Sequence, residues 1–163
     1  TGVANRTLLY DRLQHAMTLA ARDLKMVAVF FLDLDGYKEI NDKYGHSVGD
    51  KLLIEIANRL EKNLRESDTI ARFGGDEFIL VLENILDHEA ILPIAEKILN
   101  SITKPYIIDE NECKVTASFG ISVYPIDGTT AQELINKADS AMYEAKDLGK
   151  NQYKFSHKIF RTA

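Results

Sequence analysis

Two acidic pairs carry the residue types that could do chemistry: Asp33 and Asp35, two positions apart, and the adjacent Asp76 and Glu77. On an extended segment, side chains two apart leave the same face, so Asp33 and Asp35 would point together. A tight turn holding Asp76 and Glu77 could fold up beside them. Four carboxylates so arranged suit hard divalent cations such as Mg²⁺, which at a phosphoryl-transfer site keep positions open for the substrate's phosphates. Taken pair by pair, the same acids are equally ordinary as turn formers at strand ends. Lys38, Lys146 and Lys150 are the isolated cations that could meet phosphate, although Lys146 in a last helical turn is on its own a solvated charge favoured by the helix dipole. No G-x-x-x-x-G-K-[ST] run occurs, which disfavours a P-loop. A triphosphate would instead depend on metal, these lysines and backbone N–H groups around Leu34 to Tyr37.

The elements that must position these groups follow from hydrophobic periodicity. Asn5 to Leu24 places Leu9, Leu13, Met17, Ala20 and Leu24 at helical spacing. Met26 to Leu32 is an unbroken apolar run rich in β-formers, expected as a strand buried on both faces that stops at Asp33-Leu34-Asp35-Gly36. A polar stretch with Asn41, Gly45 and His46 leads to Ser47-Val-Gly-Asp50, a capping-box pattern. It predicts a helix with Val48, Leu52, Ile56 and Leu60 buried, fading near Arg65 to Asp68. Thr69 to Phe73 and Glu77 to Leu82 flank Gly74-Gly75-Asp76 as a hairpin.

A helix beginning near Asp87 to Glu89 buries Ile91, Ile94, Ala95, Ile98, Leu99 and Ile102, with Pro93 tolerable only in its first turn. Cys113 to Val123 alternates apolar and polar residues as a half-buried strand does. Thr130-Ala-Gln-Glu133 caps a last helix that buries Leu134, Ala138, Ala141, Met142 and Ala145 and stops at Gly149. Gln152 to Phe155 closes the order as a short strand. The fold class expected is α/β in the α+β sense: a mixed, mainly antiparallel sheet of about five or six strands covered by helices.

At 163 residues, 45% apolar and 28% charged, the composition is that of one globular domain with its own core. The net charge of −5 argues against a nucleic-acid partner, since backbone binding needs a basic face. No signal peptide or membrane-length apolar run is present, so a cytoplasmic domain without membrane contact is expected. Cys113, the single cysteine, cannot form an internal disulfide.

The motifs together resemble the diguanylate cyclase (GGDEF) family. Arg72-Phe-Gly-Gly-Asp-Glu-Phe78 contains the signature unaltered. Around it stand, in order, Asp33-Leu-Asp-Gly-Tyr-Lys38, Asn41-Asp42, Gly45-His46, Gly49-Asp50, Ser118-Phe-Gly120, Ala138-Asp139, Ala141-Met-Tyr143, Ala145-Lys146 and Gly149-Lys-Asn151. Thr1 to Arg6 looks like the family's opening motif, with Ala4 where proline is usual. The likeness covers essentially the whole chain, residues 1–163, read as one catalytic domain cut from a longer protein.

The resemblance implies a nucleotidyl-cyclase or polymerase-palm-like fold with a ferredoxin-like core. It also implies condensation of two GTP molecules into cyclic di-GMP, with release of pyrophosphate, at the interface of a homodimer. Asp33, Asp76, Glu77 and the Leu34 carbonyl would hold Mg²⁺ or Mn²⁺. Asp76 would help deprotonate the attacking 3′-hydroxyl, with Glu77 and Lys38 completing the catalytic set. Asn41 and Asp50 would read guanine beside His46, while Gly74, Gly75, Lys146 and Lys150 would approach the phosphates. Arg65-Glu-Ser-Asp68 matches the family's R-x-x-D product-inhibition site; by itself it is an i,i+3 surface ion pair of about 0.2–0.5 kcal/mol. Sensor domains, and a following phosphodiesterase (EAL) domain, are expected in the parent chain. The rivals are an idle GTP-binding regulatory domain and, more remotely, a nucleic-acid palm enzyme.

Overall fold

The computed structural model describes residues 3–157. Its centre is β1 (Met26–Asp35), the strand expected from the longest apolar run. Alternate side chains go to opposite faces of the sheet. Ala28, Phe30 and Leu32 join one apolar cluster, while Val27, Val29 and Phe31 join the other. With both faces covered, the run has no polar alternation to show.

β1 lies between β3 (Glu77–Ile85) and β6 (Thr116–Tyr124), both antiparallel to it; β2 (Thr69–Arg72) extends the sheet beyond β3, and β7 (Gln152–Phe155) runs parallel to β6. The order is therefore β2-β3-β1-β6-β7. One face carries α1 (Arg6–Asp23) and α5 (Ala131–Asp147); the other carries α2 (Tyr37–Tyr44), α3 (His46–Lys62) and α4 (Ile91–Thr103). The expected mixed, mainly antiparallel sheet covered by helices is what is found.

Local chemistry sets the ends of these elements. Asn5 caps α1 by accepting from the Leu8 N–H at 2.9 Å, and Leu24 closes it in the left-handed region at φ 55°. Thr130 and Glu133 form the expected capping box at the start of α5. Gly120 lets α5 lie directly on β6: a Cβ there would stand 2.0 Å from the Ala138 carbonyl oxygen and 2.4 Å from the Met142 nitrogen. Pro93 falls in the first turn of α4, where its missing N–H breaks no helical hydrogen bond.

Five expectations need correction. The polar stretch after Gly36 is α2, a helix whose single buried residue, Ile40, gives too little stripe to be read as periodicity. The Ser47-to-Asp50 capping box does not form; α3 begins at His46 with Gly45 before it at φ 92° and no side-chain cap. One residue joins the two helices, which leaves no room for an extended serine cap. α3 also ends at Lys62, short of Arg65.

The long alternating strand is divided. Cys113 belongs to a separate hairpin, β4 (Tyr106–Ile108) with β5 (Asn111–Cys113), and β6 starts at Thr116. β6 is not half-buried either, since Ser118 and Ser122 are 0% exposed. Both hydroxyls have acceptors: Ser118 donates to Asp35, and Ser122 to the Leu134 carbonyl at 2.6 Å. Burial without an unmet hydrogen bond is thereby achieved on the polar side of the strand.

Candidate active site

The β1 terminus and the β2–β3 turn meet by sheet pairing. Asp33 is registered directly against Glu77, and the Leu34 N–H donates to the Asp76 carbonyl at 3.1 Å. The acids of strand and turn are therefore neighbours through the backbone itself. Asp33 and Asp35 also share a face, because the Lys146 ammonium lies 3.5 Å from Asp33 and 3.2 Å from Asp35.

The turn is tied down by two arginines. Arg72 donates to the Gly74 and Gly75 carbonyls at 2.9–3.2 Å, and Arg6 donates to the Phe73 carbonyl while its guanidinium lies 3.8 Å from the Phe73 ring centre. Gly74 leaves room for the Glu77 carboxylate, since a Cβ there would fall 2.2 Å from Glu77 Oε1. Gly75 faces open space. Arg6 and Arg72 were visible only as parts of motifs; the turn's row of exposed carbonyls, which needs donors, is what calls for them.

Electrostatics separate Asp33 from Asp35. Burial, with the neighbouring charges of Asp76 and Glu77, pushes the Asp33 carboxyl up to about 7 despite Lys146. Its Oδ1 is buried and accepts no hydrogen bond. Burial, followed by Asp139 and Asp76, also raises Glu77. A site holding excess negative charge and an unmet acceptor is chemically matched to a cation. Asp33, Asp76 and Glu77 are the side chains that fit such an ion. Among the described residues, no three His, Cys, Asp or Glu side chains form a ready-made cage. An ion here would need water or substrate oxygens as well, as Mg²⁺ commonly does.

Asp35 is the opposite case. Burial opposes its charge, but donors from Thr116 at 2.8 Å, the Asn151 N–H at 3.1 Å, Ser118 at 2.9 Å and Lys146 at 3.2 Å outweigh it and lower its pKa. Sequence reasoning counted Asp35 among four carboxylates suited to a cation, whereas its oxygens are taken up by protein donors. Thr116 of β6 is registered against Asp35, a pairing that only the strand register reveals. Lys146 is raised: burial disfavours its charge, and Asp33 and Asp35 more than restore it.

The remaining candidates line the α2–α3 side. Gly36, at φ 86°, turns the chain from β1 into α2, whose first turn holds the exposed Lys38. Gly49 leaves space for Asn41, since a Cβ would fall 1.8 Å from Asn41 Oδ1 and 3.1 Å from the Tyr37 hydroxyl. Asn41 Oδ1 is buried and unpartnered. Burial first, then Asp50 and Asp76 among its neighbours, raises Tyr37, which places both acids within electrostatic reach of one side chain. His46, Asp50 and Lys150 are exposed. Leu34 lies in the strand end, but its N–H is committed to Asp76, which withdraws it from the backbone groups considered for phosphate.

Arg65 and Asp68 are not part of this cluster. They form the turn before β2, at the other end of the hairpin. Asp68 accepts from the Arg65 N–H at 2.9 Å and the Glu83 N–H at 3.1 Å, its side chain is 3% exposed, and the Arg65 guanidinium lies 3.6 Å away. Arg65 also donates to the Glu83 carbonyl.

Comparison with known proteins identifies the family. The family described as "Diguanylate cyclase, GGDEF domain" matches residues 1–152. The chain is 51% identical over 155 residues to the bifunctional diguanylate cyclase/cyclic di-GMP phosphodiesterase MucR of Pseudomonas aeruginosa, covering 95% of this chain and 22% of that one. It is 39% identical over 156 residues to the cyclic di-GMP phosphodiesterase NbdA of the same organism, covering 95% and 20%. It thus spans about a fifth of either relative's length. The crystal structure of the GGDEF domain of PA1120 (YfiN or TpbB) from Pseudomonas aeruginosa superimposes with a TM-score of 0.92 at 36% identity, covering 97% of this chain and 99% of that one. The chain belongs to the diguanylate cyclase, GGDEF domain family.

Proposed function

We propose that this chain is a catalytic domain that condenses two GTP into cyclic di-GMP and two pyrophosphates. The carrying observation is the registration of Asp33 against Glu77, with an unpaired Asp33 oxygen beside Asp76. Asp33, Asp76, Glu77 and the Leu34 carbonyl would hold Mg²⁺ or Mn²⁺. A bound ion supplies Lewis-acid polarisation of the α-phosphate and charge neutralisation at the leaving group.

The protein's own groups bind, orient and move a proton. Asp76 accepts the proton of the 3′-hydroxyl that attacks the α-phosphorus of the second GTP. Glu77 keeps the site negative enough to retain the ion. Lys38 and Lys146 offset charge that grows on the phosphate oxygens, Lys150 extends that contact, and Gly74 and Gly75 allow close approach to the turn. Asn41 and Asp50 read guanine with His46 at the rim. A carboxylate facing the guanine N1–H and N2–H₂ discriminates against adenine, which has no donors there.

One domain holds one GTP, so two copies must face each other, and the rate per monomer rises with concentration. Arg65 and Asp68 are assigned to product binding; this requires the product to compete with the internal hydrogen bonds of Asp68, so Arg65 makes the first contact. We place the domain within a longer signalling chain, in the cytoplasm, with sensor and EAL modules as neighbours. No helix among the described residues is long and apolar enough to cross a membrane.

NbdA, a relative named a phosphodiesterase, favours a second reading in which the domain binds GTP and regulates an attached phosphodiesterase. Chromatography of products after incubation with GTP and Mg²⁺, at several protein concentrations, separates the two. Cyclic di-GMP formed by the wild type and lost in Asp76→Ala supports the cyclase. GTP binding without product in either protein supports the regulator.

A further inference from the structure

The proposed phosphate lysines share one anchor. Lys146 lies in the last turn of α5, and Lys150 lies just beyond it in the Gly149-Lys150-Asn151 turn, where φ is 122°, 65° and 49°. Lysine does not adopt the left-handed region freely, although asparagine does so more readily; local bonds from the Gly149 and Lys150 N–H groups to the Lys146 and Ala145 carbonyls start the turn, and a tertiary contact completes it. That contact is Asp35. Its Oδ2 accepts from the Asn151 N–H at 3.1 Å, and its Oδ1 accepts from the Lys146 ammonium at 3.2 Å. Thr116 and Ser118, from β6, hold the same carboxylate from the other side at 2.8 and 2.9 Å.

With 7% of its surface exposed and four donors engaged, Asp35 has little capacity left for an ion or a substrate. Asp33, on the same face, has a free acceptor and also touches Lys146. The two acids of the strand end therefore have different tasks. When Asp33 turns to a cation, Lys146 keeps Asp35 and does not lose its place. We propose that Asp35 is a positioning residue for phosphate binding: it holds Lys146 and the turn carrying Lys150 in register with the metal-holding acids, and does not ligate the metal itself. This rests on the GTP-binding reading above.

The test is a double-mutant cycle of Asp35→Asn and Lys146→Met. It measures binding of a non-hydrolysable GTP analogue with Mg²⁺, with the ATP counterpart as a control. Asp35→Asn keeps the size and much of the hydrogen bonding of the side chain while removing the charge that holds the ammonium. Binding is expected to weaken about tenfold in each single variant, and the double variant to bind no more weakly than Lys146→Met alone, because coupled groups are not additive. The preference for the guanine over the adenine analogue stays at the wild-type ratio. Unchanged binding in Asp35→Asn, losses that multiply in the double variant, or a collapse of the guanine preference would each overturn the assignment.

A crystal structure of the wild type with the analogue gives a second reading that does not depend on a variant folding. Lys146 should remain within hydrogen-bond distance of Asp35 while touching a phosphate oxygen, and its departure from Asp35 would refute the proposal. If the wild type binds neither nucleotide, the cyclase reading falls and takes this inference with it. If the wild type binds and Asp35→Asn binds equally well, only the Asp35 assignment falls.

Discussion

Each end of the β2–β3 hairpin has an aspartate beside a basic residue, Asp33 of the neighbouring β1 at the turn and Asp68 at the far end, yet the two are built oppositely. At the turn end, Asp33 keeps one buried oxygen unmet and is pushed up to about 7 by burial and two acidic neighbours. At the other end, Asp68 is more enclosed still, yet it accepts from two backbone N–H groups and lies beside Arg65. Saturated carboxylates hold a fold together, whereas an unsaturated one held among like charges opposes it and marks a place where something else must bind.

Breaking the unsaturated end should give the largest effect. Asp33→Asn is expected to lower cyclic di-GMP formation by about 100-fold or more, since it removes a charge aimed at the metal. The same change should not destabilise the metal-free protein, because the folded state disfavours that charge. Because folding raises the Asp33 pKa from 3.8 to about 7, the folded state binds the proton more tightly than the unfolded one. Its contribution to stability is present below pH 3.8 and is lost as pH rises through about 7. Denaturant melts of wild type and Asp33→Asn across that interval should converge at the acid end.

Next in size is Gly74→Ala. The added Cβ meets Glu77 Oε1 at 2.2 Å, so the carboxylate must swing away and activity should fall about tenfold or more with a modest change in stability. An activity assay paired with thermal melting checks this. A wild-type rate would show that the Glu77 position is not used.

At the saturated end the order of effects reverses. Asp68→Ala leaves the Arg65 and Glu83 N–H groups without their acceptor, a loss of about 1–3 kcal/mol read by urea unfolding. Activity per folded molecule, assayed without added product, should stay close to wild type. Smallest of all is Lys51→Ala. Its partner Asp109 is 2.8 Å away, but both side chains are about half exposed, and such pairs contribute about 0–1 kcal/mol. A loss well beyond that would show that solvent screening at this surface has been overstated.

The comparison also shows what a sequence displays and what it hides. Strand β1 was legible because burial on both faces leaves an unbroken apolar run, and α5 because its capping box and stripe agree. α2 was hidden because a short helix over a site buries almost nothing. Cys113 was joined to β6 because alternation continues across Lys114 and Val115, where the chain leaves one hairpin for the main sheet. Within the site, Asp33, Asp76, Glu77 and Lys146 were recognisable as types; antiparallel pairing brings the acids together, and the last turn of α5 brings Lys146 to Asp33. The division of labour between Asp33 and Asp35 was not legible. It depends on which carboxylate meets Thr116, Ser118 and Asn151, and that is a property of strand register rather than of local sequence.

The central claim is that Asp33, Asp76 and Glu77 converge to hold a divalent ion against a nucleotide's phosphates. It is tested most directly by titrating Mn²⁺ into the wild type and Asp33→Asn, each with a non-hydrolysable GTP analogue, and following bound ion by electron paramagnetic resonance. The account predicts a bound Mn²⁺ in the wild type whose affinity falls at least about tenfold in the variant. Equal occupancy in the two proteins would contradict it.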